Sequence, residues 1–457
     1  MSEQSVQTVL FPTLFAKSLV AAFDTPQQSS DGGAILLKAI DAQLGLTARL
    51  AACLPEWRQV GKVEHDLPTL IRQRCFGLAC GYPDANDAAR LKDDPIHKLL
   101  VGRDPVAGPP LASQPTLSRF ENAIATRDLV RLTHALADVV IAHHQARLGA
   151  QRVRRITIDL DPTDDPTHGQ QELAFFNGHY DTWCYLPVVG YLTFNKEREQ
   201  YLVTALLRPG NVPASRGAIG LLRRLFAKLR AAFPKATLRV RLDGGYATPP
   251  LFAFLEAEGV EYLVAMASNA RLAKRIRRLL GKARMRSKAS GQTEHLYGET
   301  RYAAKKWRRK RRVIMKAEVV RLGDRDPRDN PRFVVTNLPQ TPRHVYALYC
   351  ERGDRENRIK ELHYGLGLDR TSCSRFRANA FRVVLTAAAY VLLQELRRHL
   401  AATACAGSQV GTLRERLLKL GTRVSVSARR IVLHLPSAFP WLVVWQAVAL
   451  ALGARAG

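Results

Sequence analysis

The chain has 457 residues, with 69 Lys or Arg against 40 Asp or Glu and a formal charge of +29. That balance calls for a polyanionic partner, nucleic acid before an anionic membrane surface, and 46% apolar residues exclude a disordered basic tail. Seven cysteines, an odd number without a Cys-x-x-Cys pair, fit free thiols in a reducing cytosol better than a disulfide framework or a zinc site. No basic segment followed by an apolar one marks a signal peptide at the N-terminus. The longest apolar run, residues 439–452, contains Gln446 and is too short to span a bilayer, so no membrane is expected.

Residues 1–33 are polar and irregular apart from 9–15. From 33 to 148 the apolar residues recur at helical spacing, with Asp66 and Ser113 placed to cap two of the helices. Residues 112–122 read equally as a short recognition helix, reaching DNA with Gln114, Thr116, Ser118 and Arg119, or as a capped connector. Residues 1–150 are therefore expected to form a helical, DNA-binding N-terminal region.

The pattern changes at Arg152. Residues 154–161 form a short apolar strand ending in carboxylates, and 182–194 and 200–207 form two more strands joined by a polar turn. A helix at 215–233, a strand at 236–243, a helix at 248–258 and a strand at 261–267 complete the order β-β-β-α-β-α-β. That order predicts an α/β fold, a mixed five-stranded sheet flanked by helices, over 151–268. Residues 269–330 are expected to be a basic, strand-rich insertion. Its stretch 271–316 carries 18 Lys or Arg against two Glu, a local charge of +16, and contains Trp307; the arginines Arg308, Arg309, Arg311 and Arg312 are placed to bind DNA phosphates. Residues 331–405 return to the core, with an apolar helix from 379 to 400 under the sheet, and 406–457 form a C-terminal region.

Asp161 ends the first strand and Asp243 the fourth, and Glu356 lies on a helix beyond the insertion. Carboxylates at strand ends, joined by one from a helix, can share a pair of hard divalent cations such as Mg²⁺ or Mn²⁺, which suits in-line displacement at phosphorus. Asp159 shares the strand parity of Asp161 and is the alternative first carboxylate. On a helix, Tyr349, Arg352, Glu356, Lys360 and His363 fall on one face, either a solvated charged face or the wall of a metal and phosphate site.

Four stretches together resemble a bacterial insertion-sequence transposase of the DDE type with a ribonuclease-H-like catalytic core. Ile158-Asp-Leu-Asp-Pro-Thr is similar to the first-aspartate motif, with Asp161 and Thr163 giving its Asp-x-Thr form. Leu206-Leu-Arg-Pro-Gly-Asn211 looks like the turn after the third strand, and Arg241-Leu-Asp-Gly-Gly-Tyr246 like the second-aspartate motif. Tyr349, Arg352 and Glu356 match the Tyr-x2-Arg-x3-Glu signature; its usual Lys seven residues on is His363 here, with Lys360 one turn earlier. The resemblance implies a transposase that cuts at transposon ends and joins the 3′-hydroxyl to target DNA, using two divalent ions held by Asp161, Asp243 and Glu356. It further implies that Tyr349 and Arg352 hold the DNA backbone, and that the protein works as a homodimer on double-stranded DNA in the bacterial cytoplasm, at the nucleoid; Trp307 lies where relatives place an aromatic that stabilises a flipped base, and reads equally as a Trp packed on its own strand. Two other readings stay open: a catalytically inactive, transposase-derived repressor, and a metal-dependent nuclease without strand transfer.

Overall fold

The computed structural model describes residues 8–455 apart from 12, 23 and 324; the side chains of 8, 9, 11 and 354–356 lie outside that description. The chain opens with a hairpin of β1 (Thr8–Phe11) and β2 (Leu19–Ala22), then β3 (Gln28–Ser29). Seven helices follow: α1 (Ile35–Leu44), α2 (Leu46–Ala51), α3 (Leu67–Cys80), α4 (Ala88–Leu91), α5 (Pro95–Val101), α6 (Gln114–Ala123) and α7 (Thr126–Leu148). Asp66 caps α3 as its position predicts, accepting the Thr69 N–H at 2.9 Å. Ser113 does not cap α6; its hydroxyl turns to Thr116 instead. Helix α6 is held from the inside by Glu121, which is fully buried between Arg74 of α3 (2.9 Å) and Arg382 (2.7 Å).

The α/β part begins with β4 (Arg155–Pro162). A small three-stranded sheet interrupts it, built of β5 (Asp165–Pro166), β6 (Phe175–Asn177) and β7 (Thr182–Tyr185) in the order β5-β7-β6. The main sheet resumes with β8 (Val188–Phe194), β9 (Tyr201–Leu206), α8 (Ala218–Ala232), β10 (Thr237–Leu242), α9 (Pro249–Ala257) and β11 (Glu261–Met266). Strands β4, β8 and β9 run antiparallel in turn, whereas β10 and β11 lie parallel to β4 on its other side. Four of these five strands lie where the sequence predicts them; the predicted second strand, 182–194, divides instead into β7 of the small sheet and β8 of the main sheet, and the order is β9-β8-β4-β10-β11.

The sheet does not stop at five. The basic segment starts as a helix, α10 (Ala270–Ser290), and only then forms β12 (Glu294–Tyr302), β13 (Arg311–Val320) and the short β14 (Arg328–Asp329). With β15 (Arg332–Thr336) antiparallel to β11, these strands extend the main sheet to nine. Leu272, Ile276, Leu280, Ala283 and Ser287 form the buried side of α10. Their helical spacing among Ala, Lys and Arg, all strong helix formers, explains why a helix replaces the expected strands there.

Helix α11 (Pro342–Cys350) covers one face of the extended sheet, where Val345 and Tyr346 pack on Leu263, Ile314 and Val334. A 3₁₀ turn, Glu351–Gly353, leads into α12 (Asp354–Lys360), and a π-helical turn, Glu361–Gly365, follows it. Helix α13 (Phe376–His399) lies between the helical region and the sheet, touching α1, α3, α6 and α7 on one side and β9 on the other. By length and composition it is apolar enough to cross a membrane, which the longest uninterrupted run concealed, but 83% of that stretch is buried inside the protein. It is the core helix of a shared interior, since one buried cluster runs from the N-terminal helices through the sheet. The chain ends with α14 (Val410–Leu413), the hairpin β16 (Thr422–Val426) and β17 (Ile431–His434), and α15 (Leu442–Ala451).

Candidate active site

The parallel pairing of β4 with β10 sets Thr237 opposite Arg155 and Arg241 opposite Asp159, an offset of 82 residues. Asp161 and Asp243 are separated by the same 82, so each carboxylate leaves the end of its strand level with the other on neighbouring strands. Asp243 also starts a 3₁₀ turn, Gly244–Tyr246, and its Oδ1 accepts the Gly245 N–H at 2.8 Å. A Cβ at Gly245 would lie 2.8 Å from the Cβ of Ala214 and 3.1 Å from that same oxygen, so the turn that aims Asp243 requires a glycine there.

Arg352 stands between the two carboxylates. Its Nη2 is 2.8 Å from Asp161 Oδ1 and 3.7 Å from Asp243 Oδ2. Burial alone would lower the guanidinium, but Asp161, Tyr349 and Asp243 outweigh it and hold Arg352 above its ordinary value. Two strand-end carboxylates thus converge on one cationic group, the arrangement expected of oxygen donors for a hard divalent ion. Tyr349 supports Arg352 with its ring, 6.0 Å from the guanidinium. Beside them opens a cleft of about 460 Å³, lined among others by Ser268, Arg332, Tyr349 and Arg352.

Asp159, the alternative first carboxylate, is taken. It is fully buried, and Arg241 binds it through both oxygens at 2.9 and 2.8 Å. Arg241 also donates to the Leu348 carbonyl at 3.0 Å, so this buried pair ties β4 and β10 to the end of the helix that delivers Arg352. Glu356 lies in α12, one turn beyond Arg352, but its side chain is outside the described residues. Lys360 ends α12 exposed. His363 does not offer a cation to DNA: its Nε2 meets the Thr163 hydroxyl at 3.0 Å, and burial, which the nearby Asp369 and Asp164 only partly oppose, lowers its pKa. The signature helix is therefore stitched to the Asp-x-Thr loop by a neutral imidazole.

A second anchor follows at once. Glu361, in the π-helical turn, is buried and accepts from the Tyr390 hydroxyl (2.6 Å), from Arg397, from Arg358 (3.2 Å) and from the Val410 N–H (3.1 Å). Glu361→Ala leaves Arg397 buried without this partner, and the expected loss in denaturant unfolding is about 3–5 kcal/mol. Glu361→Gln keeps the shape and should lose less.

The basic insertion needs three corrections. Trp307 is only 9% exposed, packed at 5.1 Å on Phe252 and 5.7 Å on Tyr302, so it cannot receive a flipped base. Arg311 is buried on Glu256 and stacks between Phe252 and Trp307. Arg312 is bound by Glu299 and the Leu338 and Gln340 carbonyls, which leaves both arginines structural. Arg308 and Arg309 stay exposed, although Arg309 pairs with Glu256.

One residue beside the carboxylates had no local signal in the sequence. Tyr180, in the β6–β7 turn, is half-buried, and its phenol is pushed up to about 12 by burial and by the charges of Asp164, Asp161 and Asp243. Elsewhere, Asp31, Cys80 and His97 lie close enough together to hold a metal. The Asp31 carboxylate is already engaged by His97 at 2.8 Å and Lys419 at 2.7 Å, contacts that bind the C-terminal segment to the helical region.

No match was found among curated proteins. Among solved structures, a cryo-EM structure of the piggyBac transposase synaptic complex with hairpin DNA overlays with a TM-score of 0.42 at 10% identity, covering 84% of this chain and 79% of that one, a likeness too slight to carry a functional argument. Residues 11–454 match the family profile described as transposase DDE domain group 1, and with nearly its whole length inside that match the chain belongs to this family of transposases.

Proposed function

We propose that the protein is the transposase of a bacterial insertion sequence, which cuts at transposon ends and joins the freed 3′-hydroxyl to target DNA. The observation that carries this reading is the level pair Asp161 and Asp243 on adjacent parallel strands, both turned toward one cation. The strand order β9-β8-β4-β10-β11, three antiparallel strands and then two parallel ones, supports a ribonuclease-H-like core. Asp161 and Asp243, with Glu356 from α12, are the residues to hold two Mg²⁺ or Mn²⁺ ions. When bound, such ions supply activation of the attacking oxygen and stabilisation of the leaving one.

The chain's own residues do the rest. Asp243 is fixed by its turn, and Asp161 by its strand. Arg352 and Tyr349 line the cleft, where a released guanidinium can grip a DNA phosphate through its planar fork. Protein acting as a homodimer on double-stranded DNA in the cytoplasm completes the reading. A strand-transfer assay with a pre-cut end and a target plasmid tests it. Joined product in Mg²⁺, absent in EDTA, is expected; cleavage without joining would reduce the protein to a nuclease, and binding without either to a repressor.

Duplex affinity is assigned to the outer face of α10. Its nine Lys and Arg are all exposed, and the helix contains no acidic residue. At 1.5 Å per residue the face is roughly 30 Å long, which matches several phosphates along a duplex. Changing Arg271, Lys274, Arg277 and Arg278 to Gln should weaken binding to any duplex. For every phosphate that is no longer neutralised, the slope of log affinity against log salt should flatten by about 0.9. The same changes at Arg311 and Arg312 should lower stability instead, and an unchanged slope in the α10 variant would mean that this face is merely solvated.

A further inference from the structure

We propose that Asp31, Cys80 and His97 form a structural zinc site that locks the C-terminal segment onto the helical region. It is built from other residues than the strand-end carboxylates, and it does not depend on what the chain does to DNA. The three donor atoms lie within 4.8 Å of one another, and all three side chains are buried. Carboxylate, thiolate and imidazole are the donors that Zn²⁺ takes in tetrahedral sites, at roughly 2.0–2.3 Å. Tetrahedral angles then set the donors roughly 3.3–3.5 Å apart, so small side-chain rotations close this set around an ion. The chain has no Cys-x-x-Cys pair to announce such a site, because its donors come from three separate places, positions 31, 80 and 97.

Each donor stands on a fixed piece of backbone. Asp31 lies opposite Leu420 in a parallel bridge, and the next N–H, that of Gly32, donates to the Leu420 carbonyl at 2.9 Å. A Cβ at Gly32 would overlap the Thr422 hydroxyl, and one at Gly33 the Leu417 carbonyl oxygen, so Asp31 can approach the C-terminal segment only because two glycines follow it. Cys80 is the last residue of α3. His97 lies in the first turn of α5, where the capping Asp94 accepts its N–H at 2.9 Å. Donors held in this way lose little freedom when an ion is taken up.

The surrounding contacts suit an ion. Lys419 holds one oxygen of Asp31, Oδ1 at 2.7 Å, while Oδ2 faces His97 Nε2 at 2.8 Å. Zinc would bind Oδ2 and leave Oδ1 on Lys419, as a metal-bound carboxylate commonly keeps a hydrogen-bond donor of its own. Lys419 is held in turn by the Tyr82 hydroxyl at 2.9 Å, and the Tyr82 ring packs edge-on against His97. Cys80 brings a free, buried thiol, a donor that the Asp31 pairings leave aside. Uptake of the ion displaces the thiol proton and the proton between Nε2 and Oδ2, both to solvent, and the thiolate and carboxylate then match its two charges. Water completes the fourth position, reached past the Lys419 side chain, which is 33% exposed.

The test uses the full-length protein, stripped by a chelator and reloaded with Zn²⁺ or Co²⁺. Co²⁺ accepts the same donors, and a sulfur-to-cobalt charge-transfer band reports a thiolate ligand. About one equivalent should bind with that band, and Zn²⁺ should bleach it. Cys80→Ser should abolish the band, and His97→Gln should weaken cobalt binding about tenfold or more. Cys75→Ser, also in α3, and Cys350→Ser, in the cleft beside Arg352, should keep both. In the wild type, stripping should lower the melting temperature, and Zn²⁺ but not Mg²⁺ should restore it, a reading that needs no variant to fold. A wild type without the sulfur band, a band that survives Cys80→Ser, or a melting temperature indifferent to chelator and Zn²⁺ overturns the proposal. Asp31, His97 and Lys419 would then be a plain buried ion-pair cluster. Failure of DNA cleavage would count against the transposase reading alone, because none of these measurements involves DNA.

Discussion

Asp243→Asn should abolish end cleavage, with a loss on the order of a thousandfold or more, and leave duplex affinity near that of the wild type. Asparagine keeps the shape of the side chain and an oxygen to accept the Gly245 N–H, so the turn after β10 survives. What disappears is one of the three charges that would hold the ions, and with it stabilisation of charge that develops only in the transition state. Asp161→Asn should behave alike and also weaken the 2.8 Å contact to Arg352. Asp159→Asn separates chemistry from folding. It leaves Arg241 buried against a neutral partner, so a loss of stability of about 3–5 kcal/mol should precede any loss of rate per folded molecule. Asp164→Asn should be near neutral in both. Gel shift and cleavage on one end fragment, with unfolding curves for each variant, check the set; cleavage that persists in Asp243→Asn would remove the catalytic role from this pair.

The geometry of the candidate site was legible in the sequence where it is carried by spacing along the chain. The 82 residues between Asp161 and Asp243 turn out to be the register offset of two parallel strands, and the glycines after Asp243 mark the turn that its carboxylate caps. Strand parity put Asp159 and Asp161 on one side but could not say which of them reaches the open end. That was decided by Arg241, whose partner lies 82 residues away. The misreadings share this cause. Trp307 and Arg311 look free in a basic run because Phe252 and Glu256, which bury them, lie in an earlier helix. His363 reads as a misplaced phosphate ligand until Thr163, 200 residues earlier, is seen against it. The helix α10 is a different case: its apolar residues at 272, 276, 280 and 283 are visible locally, and weight given to charge hid the period.

Arg352→Ala should make the protein less stable without divalent ions and more responsive to them. In the structure the guanidinium is the counter-charge for both carboxylates, 2.8 Å from Asp161 and 3.7 Å from Asp243. Without it, two like charges face each other at the ends of adjacent strands, partly shielded from water. The pair is neither fully buried nor exposed, so the expected loss is about 2 kcal/mol, between the values for surface and buried ion pairs. Mg²⁺ or Mn²⁺ should restore that loss, because an ion that binds only the folded state stabilises it in proportion to the logarithm of its concentration over its Kd. In the wild type the same ion must first displace the guanidinium, so its affinity should be weaker and its effect on the melting temperature smaller. Arg352→Lys, which keeps a charge but not the planar fork, should lie between the two. Thermal unfolding in EDTA and across a Mn²⁺ titration, without DNA, measures all of this independently of cleavage. If the variant melts with the wild type in EDTA, or gains no more from Mn²⁺, then Arg352 does not hold the place of a metal ion. Its contribution would then come only when DNA arrives, through the phosphate that it and Tyr349 are proposed to grip in the cleft.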